Sequence, residues 1–180
     1  MKTNIQKAAT TLALALLTVP GLMQAASGGS KADGDLGNRV RHELVMLPYY
    51  SIFDSLGYEV NGNTVTLVGQ VTRPTLKSDS ERVVKHLEGV DRVINQIAVL
   101  PLSPFDDHIR RAEYRAIFGA GSLYRYAMGA NPSIHIIVNN GHVTLEGVVG
   151  NQGDKNIAGI RANGVFGVFS VSNDLVVAKS

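Results

Sequence analysis

The sequence predicts an α+β fold with two tandem α-β-β-α-β domains, each a small three-stranded mixed sheet covered by two helices. The main observation is that the chain matches itself without a gap, from about residue 60 to residue 99, when it is shifted by 78 residues. A match of this length indicates that one small domain is present twice. A second observation is the order of helix and strand signals within the first copy. The matching pairs include Val65-Thr66-Leu67 with Val143-Thr144-Leu145, Gly69 with Gly147, Lys77 with Lys155, Gly89-Val90 with Gly167-Val168, and Asn95 with Asn173.

The first copy opens with an amphipathic helix and a hairpin. Asp35 is the expected N-cap of the helix, and Pro48 ends it. Two β-rich runs follow at 58–60 and 64–71, and Asn61-Gly62-Asn63 between them is typical of a tight turn. Gly69 in the second run is expected to permit close approach between strand and helix backbones. The helical face consists of Leu36, Val40, Leu44 and Leu47.

A second helix and a third strand complete the copy. Ser78-Asp79-Ser80-Glu81 has the spacing of a capping box, and Gly89 is expected to end the helix in the left-handed conformation. Residues 90–100 then alternate as a third strand, with apolar side chains at Val93, Ile97 and Val99. The buried face of the helix is predicted to consist of Leu76, Ser80, Val83, Val84 and Leu87.

In this order, the elements resemble the BON domain, named for bacterial OsmY and nodulation. The resemblance rests on an apolar helix, the run Asn-Gly-x-Val-Thr-Leu-x-Gly-x-Val, a capped helix, the run Gly-Val-x-x-Val-x-Asn and a closing strand. It extends over 35–100 and over about 106–177. It implies an exported tandem BON-domain envelope protein of the soluble OsmY-like type. Such a protein associates with phospholipid membranes, serves envelope integrity or osmotic stress, and has no catalytic residues to carry over.

The first 25 residues have the layout of a signal peptide. Lys2 and Lys7 precede an apolar run at 8–19, which Pro20-Gly21 breaks before the small residues 25–27. The run is shorter than the about 20 residues that span a membrane, although a retained anchor helix is the alternative. We therefore expect cleavage after Ala25, a flexible leader at 26–34, domain 1 at 35–100, a linker at 101–105 and domain 2 at 106–178.

Composition narrows the class of protein further. The chain has no cysteine, which excludes disulfides, thiolate chemistry and a lipidated cysteine anchor. The expected location is the periplasm, with peripheral rather than transmembrane attachment. The formal net charge of +2 includes Lys2 and Lys7, so the expected mature chain is close to neutral and nucleic-acid binding is not expected.

The two copies differ most where the first is charged. A shift of 78 residues replaces Glu59 by Ile137, Arg82 by Ile160, Glu88 by Phe166 and Asp91 by Phe169. Charges in the first copy mark positions that face water, so these replacements predict additional exposed apolar surface on the second copy. The alternative is that this surface forms a contact between the two domains or a homodimer.

The first helix of the second copy has a possible membrane face. Asp106-Asp107 is interpreted as its start rather than as a catalytic carboxylate pair. One arc, with Ile109, Ala112, Ala116 and Ile117, would face the sheet, but Glu113 also lies within it. The opposite arc would then be a basic aromatic face that suits an anionic membrane, made of Arg110, Arg111, Tyr114, Arg115 and Phe118. In a second interpretation the helix is rotated, and Tyr114 and Phe118 belong to the core.

The segment 119–132 is longer than its counterpart in the first copy and contains Tyr124, Arg125 and Tyr126. It is expected either to insert into a membrane or to continue the helix after a kink and pack on the first copy. We therefore predict a binding surface for lipid or a protein partner that consists of Arg110, Arg111, Tyr114, Arg115, Phe118, Tyr124, Arg125, Phe166 and Phe169.

Sequence motifs for chemistry are not found. None of the five histidines has metal-ligand spacing, and no nucleophile elbow, Walker loop or dinucleotide fingerprint occurs. We therefore expect no metal, no cofactor and no enzymatic activity. The expected function is binding of anionic phospholipid through the second domain. The alternatives are a chaperone-like or scaffolding module that binds polypeptide through the same surface, and a pair of domains with a structural role alone.

Overall fold

The computed structural model describes residues 31–119, 121–129 and 131–179. The expected signal peptide lies outside the described residues, as does the leader up to residue 30. Within domain 1 the order is α1 (Lys31–Val45), β1 (Ser55–Asn61), β2 (Thr64–Val71), α2 (Pro74–Lys85), β3 (Arg92–Asn95) and β4 (Ala98–Val99). Domain 2 contains α3 (Pro104–Phe118), a 3-10 helix (Ser122–Ala127), β5 (Ile134–Asn139), β6 (His142–Val149), α4 (Gln152–Asn163), β7 (Ser170–Asn173) and β8 (Val176–Val177).

The two sheets have the same topology, which confirms the duplicated α+β fold. In domain 1 the central strand β2 pairs antiparallel with β1 and parallel with both β3 and β4. In domain 2 the central strand β6 likewise pairs antiparallel with β5 and parallel with both β7 and β8. The predicted third strand of each copy is therefore one edge strand that is interrupted once.

A pair of equivalent asparagines lies at this interruption. The Asn95 side chain donates to the Lys77 carbonyl of α2 at 2.9 Å, and its Oδ1 accepts from the Ile97 amide at 3.1 Å. In domain 2, Asn173 donates to the Lys155 carbonyl of α4 at 2.7 Å. Because both members of each bond match across the repeat, the repeated residues fix the second helix of each domain to the edge strand.

The helices begin earlier than their cap signals predicted. The prediction of Asp35 as an N-cap is wrong, since α1 already starts at Lys31, within the expected leader. The capping box at Ser78 is also wrong, because α2 starts at Pro74, and proline suits the first helical position. Helix α3 starts at Pro104, within the expected linker, with Ser103 as its cap. Its acidic pair nevertheless lies in the first turn, as interpreted.

Gly89 and Gly69 also have roles that differ from expectation. Helix α2 ends at Lys85, and Gly89, with φ +88°, forms the turn beyond it. At Gly69 a Cβ would lie 2.2 Å from the Ser55 carbonyl oxygen, and at Gly147 it would lie 2.0 Å from that of Ser133. The close approach is therefore between neighbouring strands rather than between strand and helix.

The two domains are in direct contact through the segment 46–54, which lies between α1 and β1. Its Ile52 belongs to the apolar core of domain 2, and the Ile52 carbonyl accepts a hydrogen bond from the Ile136 amide on β5 at 2.8 Å. The Tyr50 ring stacks on His135 with centroids 5.4 Å apart, and Ser55 Oγ donates to the Glu146 carboxylate. Domain 1 thus contributes a side chain to the core of domain 2.

Candidate functional site

Three exposed phenylalanines form a patch at one end of domain 2, and we call Phe105, Phe166 and Phe169 the aromatic patch. Their exposed fractions are 48%, 92% and 71%. The ring centroids of Phe105 and Phe169 are 6.3 Å apart, which joins the first turn of α3 to the segment before β7. Large aromatic side chains grouped in this way at the surface mark a contact with a partner or a membrane.

Glycines make room for these rings. Gly167 has φ +92°, and a Cβ at this position would lie 3.2 Å from the Phe105 ring. Gly141, in the hairpin turn between β5 and β6, would place a Cβ 2.6 Å from the Phe169 ring. Two chain turns therefore lie directly against the aromatic patch and hold its rings close to the backbone.

The comparison of the two copies predicted three of the four additional exposed apolar residues. Ile160 is 72% exposed on α4, and Phe166 and Phe169 are exposed in the aromatic patch. Ile137 is an exception, because it is only 2% exposed. It shares a face of β5 with His135, the face that is turned towards Tyr50 of domain 1. The exposure of the two phenylalanines also means that they take no part in the interdomain contact.

Helix α3 presents a smaller basic face than the sequence predicted. Arg111 and Arg115 are exposed, and Tyr114 is 41% exposed. The expected exposure of Arg110 and Phe118 is wrong, since these side chains are 5% and 2% exposed. Phe118 belongs to the core of domain 2, with the Tyr114 ring against it at 5.3 Å. Tyr114 therefore lies at the surface, as the first interpretation of the helix predicted, and Phe118 lies in the core, as the second predicted.

Arg110 is buried because its charge is satisfied locally. One guanidinium nitrogen binds the Asp107 carboxylate at 2.6 Å, and the other donates to the Val138 carbonyl of β5 at 2.7 Å. Its Nε–H is buried and has no hydrogen-bond partner. Arg110 therefore fastens α3 to the edge of the sheet instead of facing a membrane.

Glu113 occupies a core position of α3. Ile109, Glu113 and Ile117 are all fully buried and recur every four residues, as Leu36, Val40 and Leu44 do in α1. Neither carboxylate oxygen of Glu113 has a hydrogen-bond partner. Burial raises the pKa of this carboxyl from 4.5 to about 8, so Glu113 is mainly protonated at neutral pH. Glu113 thus places an ionisable group at a position that the spacing of its neighbours marks as core.

The described part of the segment 119–132 does not pack on the first copy, as one of the two expectations had it, and its insertion into a membrane stays a prediction. It forms the 3-10 helix, which packs on domain 2 itself through Leu123 and Tyr126. The Tyr126 hydroxyl donates to Asp154 at 2.7 Å and accepts from the Gly150 amide at 2.8 Å. Arg125 also binds Asp154, while Tyr124 remains 57% exposed. Arg125 is therefore engaged with α4, while Tyr124 and Met128 remain exposed and available for a partner.

Asp154 is the polar centre that holds the 3-10 helix. The hydrogen bond from Tyr126, together with the charge of Arg125, holds the pKa of its carboxyl below the ordinary value. The Thr72 amide of domain 1 is equivalent to the Gly150 amide of domain 2, which donates to Tyr126. The Thr72 amide donates instead to the buried carboxylate of Asp54 at 2.6 Å. The two repeats therefore provide different side-chain acceptors for equivalent backbone amides.

The described part of the chain has no cluster of three or more His, Asp or Glu side chains that could hold a metal ion. No helix in the described ranges is long and apolar enough to cross a membrane.

The BON domain sequence model matches residues 32–101 and 124–179, which together make up more than half of the chain. The chain belongs to the BON domain family. It contains two BON domains in tandem, and membership of this family is consistent with a function associated with the bacterial envelope. No curated relative matches the sequence of this BON protein.

Two solved structures of the type III secretion system of Chlamydia trachomatis are similar to this tandem BON chain. The first is the C-terminal domain of CdsD, a structural protein of that system, with 14% identity and a TM-score of 0.32 over 81% of this chain and 98% of the other. A second CdsD structure has 13% identity and a TM-score of 0.33 over 81% and 93%. Similarities of this size carry no functional argument.

Proposed function

We propose that this protein is a non-enzymatic, periplasmic envelope protein that attaches peripherally to anionic phospholipid membranes through its second BON domain. The observation that carries the proposal is the exposed aromatic patch on domain 2, at positions where domain 1 has exposed acidic residues. Glu88 and Asp91 of domain 1 correspond to Phe166 and Phe169. These positions of domain 2 are therefore apolar, whereas the equivalent positions of domain 1 carry the charges expected of a surface in water.

The aromatic patch supplies shallow apolar insertion. Phenylalanine contributes about 1.5–3 kcal/mol when its side chain leaves water completely. Rings that are 92% and 71% exposed have most of this free energy still to gain. Ile160 on α4, which is 72% exposed, adds apolar area on the same domain. Insertion of these side chains would stabilise attachment without a spanning helix.

Electrostatic attraction to an anionic surface adds to the apolar contribution. Arg111 and Arg115 are exposed on α3, the helix that begins beside Phe105 in the aromatic patch. Neither forms a salt bridge within the described residues, so both charges are available to an anionic surface. Each basic residue near such a surface contributes about 1 kcal/mol.

Co-sedimentation with vesicles tests the proposal. The chain from Ala26 onward would be incubated with phosphatidylglycerol-rich vesicles and with pure phosphatidylcholine vesicles, each at low and at high salt. We expect binding to the anionic vesicles that weakens as salt rises, because salt screens the arginines. Absence of binding to both vesicles would contradict the proposal. Salt-insensitive binding of an unfolded polypeptide, without vesicle binding, would favour the chaperone-like alternative.

A further inference from the structure

A groove between the two domains carries an excess of positive charge. It has a volume of about 440 Å³, and both domains line it. Arg73 of domain 1 and Arg110 and Arg111 of domain 2 contribute three cations, and Asp107 is the acidic residue among its lining residues. The formal charge of the lining is therefore +2, which favours an anionic occupant.

Arg73 is held at the groove by an aromatic ring. Its guanidinium carbon lies 5.0 Å from the centroid of the Tyr49 ring, and Tyr49 is 70% exposed. In the described ranges no carboxylate forms a salt bridge with Arg73. Stacking orders the planar guanidinium while its N–H donors stay available, as recognition of a phosphate by two parallel hydrogen bonds requires.

Arg110 contributes a positive charge from domain 2, because its side chain also lines the groove. Although the side chain is 5% exposed and two of its nitrogens are bonded to Asp107 and Val138, its buried Nε–H has no partner. Because this Nε–H is shielded from solvent, Arg110 acts on an anion in the groove through its charge rather than through a hydrogen bond.

The start of α2 adds to the positive potential. Arg73 occupies the N-cap position, no side chain caps the helix, and its first turn has no acidic residue. The start of a helix carries a partial positive charge from its unpaired amides. Thr72 and Arg73 line the groove at this end, where the partial charge of the helix adds to that of the arginines. The buried carboxylate of Asp54, which accepts from the Thr72 amide, offsets part of this positive potential.

We propose that the groove between the two BON domains is a binding site for a phosphate group, with Arg73, Arg110 and Arg111 as its cationic residues. The inference goes beyond membrane attachment, because it assigns a role to domain 1 and requires no apolar insertion. The phosphate group belongs either to a free phosphate ion or to a phospholipid headgroup, and both present the same oxygens to the arginines.

Amide NMR titrations separate the two sources. Inorganic phosphate is added in one arm, and glycerophosphoglycerol, a phospholipid headgroup without acyl chains, in the other, both at constant ionic strength with sodium chloride. We expect saturable shifts of the Ser51, Thr72 and Ser103 amides, which belong to residues that line the groove. Saturation in both arms identifies a general phosphate site, and saturation by the headgroup alone identifies a lipid source.

Matched variants connect the shifts to the groove. We expect Arg73→Gln to weaken binding about tenfold, because a charge-assisted hydrogen bond is lost. Arg92→Gln, which removes an exposed arginine outside the groove, should leave the affinity unchanged. Arg111→Gln repeats the test from domain 2 if Arg73→Gln fails to fold. Absence of saturable shifts in both arms, or wild-type affinity in the groove variants, would overturn the proposal. Phe166→Ser should not alter the titration, so this test is independent of membrane attachment.

Discussion

The rings of Phe105 and Phe169 lie with their centroids 6.3 Å apart, although one belongs to α3 and the other precedes β7. Gly167 lies beneath the Phe105 ring in a left-handed backbone conformation. The shape of the aromatic patch therefore depends on the turn between α4 and β7, and this turn can be changed without altering any exposed side chain.

Gly167→Ala should weaken vesicle binding, because the new Cβ would lie 3.2 Å from the Phe105 ring and the ring must shift to make room. The left-handed φ of +92° should also destabilise the fold by about 1–2 kcal/mol. Gly89→Ala is the matched control, since Gly89 has φ +88° in the equivalent turn and no ring above it. Denaturant unfolding should show similar losses of stability for both variants, and vesicle co-sedimentation a loss of binding for Gly167→Ala alone. Equal vesicle binding of the two variants would contradict the assigned role of the turn.

Glu113 predicts a stability that falls as pH rises. The ordinary pKa of 4.5 applies to the unfolded chain, and burial raises the folded value to about 8. Between these two values the unfolded state has lost the proton and the folded state retains it, so the free energy of unfolding decreases with pH. The decrease is on the order of 5 kcal/mol across this window and levels off above the folded pKa.

Glu113→Gln should remove this part of the pH dependence, because the amide does not titrate. Glu113→Val should also increase stability at pH 8, since it replaces a fully buried carboxyl without hydrogen-bond partners by an apolar side chain. Urea unfolding at pH 5 and pH 8 measures both effects, with the exposed Glu59→Gln as the control that keeps the wild-type slope. If the free energy of unfolding of Glu113→Gln fell with pH as steeply as that of the wild type, another group would be responsible for the pH dependence.

Tyr126→Phe should destabilise the protein by about 1–3 kcal/mol. It removes the hydroxyl that donates to Asp154 and accepts from the Gly150 amide, and it leaves both groups without this partner. Tyr124→Phe removes a hydroxyl from a 57% exposed ring, so it should change stability by less than about 0.5 kcal/mol. Thermal unfolding compares the two, and equal melting temperatures would contradict the anchoring role of Tyr126.

Ile52→Ala should uncouple the two domains. Ile52 belongs to domain 1 in sequence but to the core of domain 2 in space, and its truncation leaves a cavity that costs about 2–5 kcal/mol. We expect one cooperative transition in the wild type and two in the variant, measured by calorimetry. Ile94→Ala, at a 36% exposed position of domain 1, should retain the single transition. One transition in both variants would mean that Ile52 does not couple the domains.

The duplicated fold could be predicted from the sequence because the repeat preserves the residues that direct it. Asn95 and Asn173 make the same bond to the preceding helix, and Gly69 and Gly147 relieve the same clash between strands. Two helix starts were missed although Pro74 and Ser103 are residues that favour a first helical position and an N-cap, because acidic and hydroxyl residues within the first turns offered a second possible start. Local spacing thus predicted the elements better than it predicted their ends.

The candidate site was predictable only where the copies align. Phe166 and Phe169 followed from the acidic residues at equivalent positions, whereas the burial of Arg110 depends on Asp107 and on a carbonyl of β5. Phe105 was missed because it lies outside the gapless match. Its position directly after Pro104, at the start of a helix, was the signal in the sequence that could have indicated it. The groove depends on the contact between the domains through Ile52, which no local pattern reveals.

The most direct test of the central claim compares two double variants in binding to phosphatidylglycerol-rich vesicles. Phe166→Ser with Phe169→Ser removes the exposed rings of domain 2, and Glu88→Ser with Asp91→Ser changes the equivalent exposed positions of domain 1. Membrane attachment through the aromatic patch predicts at least about tenfold weaker binding for the phenylalanine variant, from the lost apolar burial. It predicts unchanged or slightly tighter binding for the acidic variant. Wild-type binding by the phenylalanine variant would contradict the account.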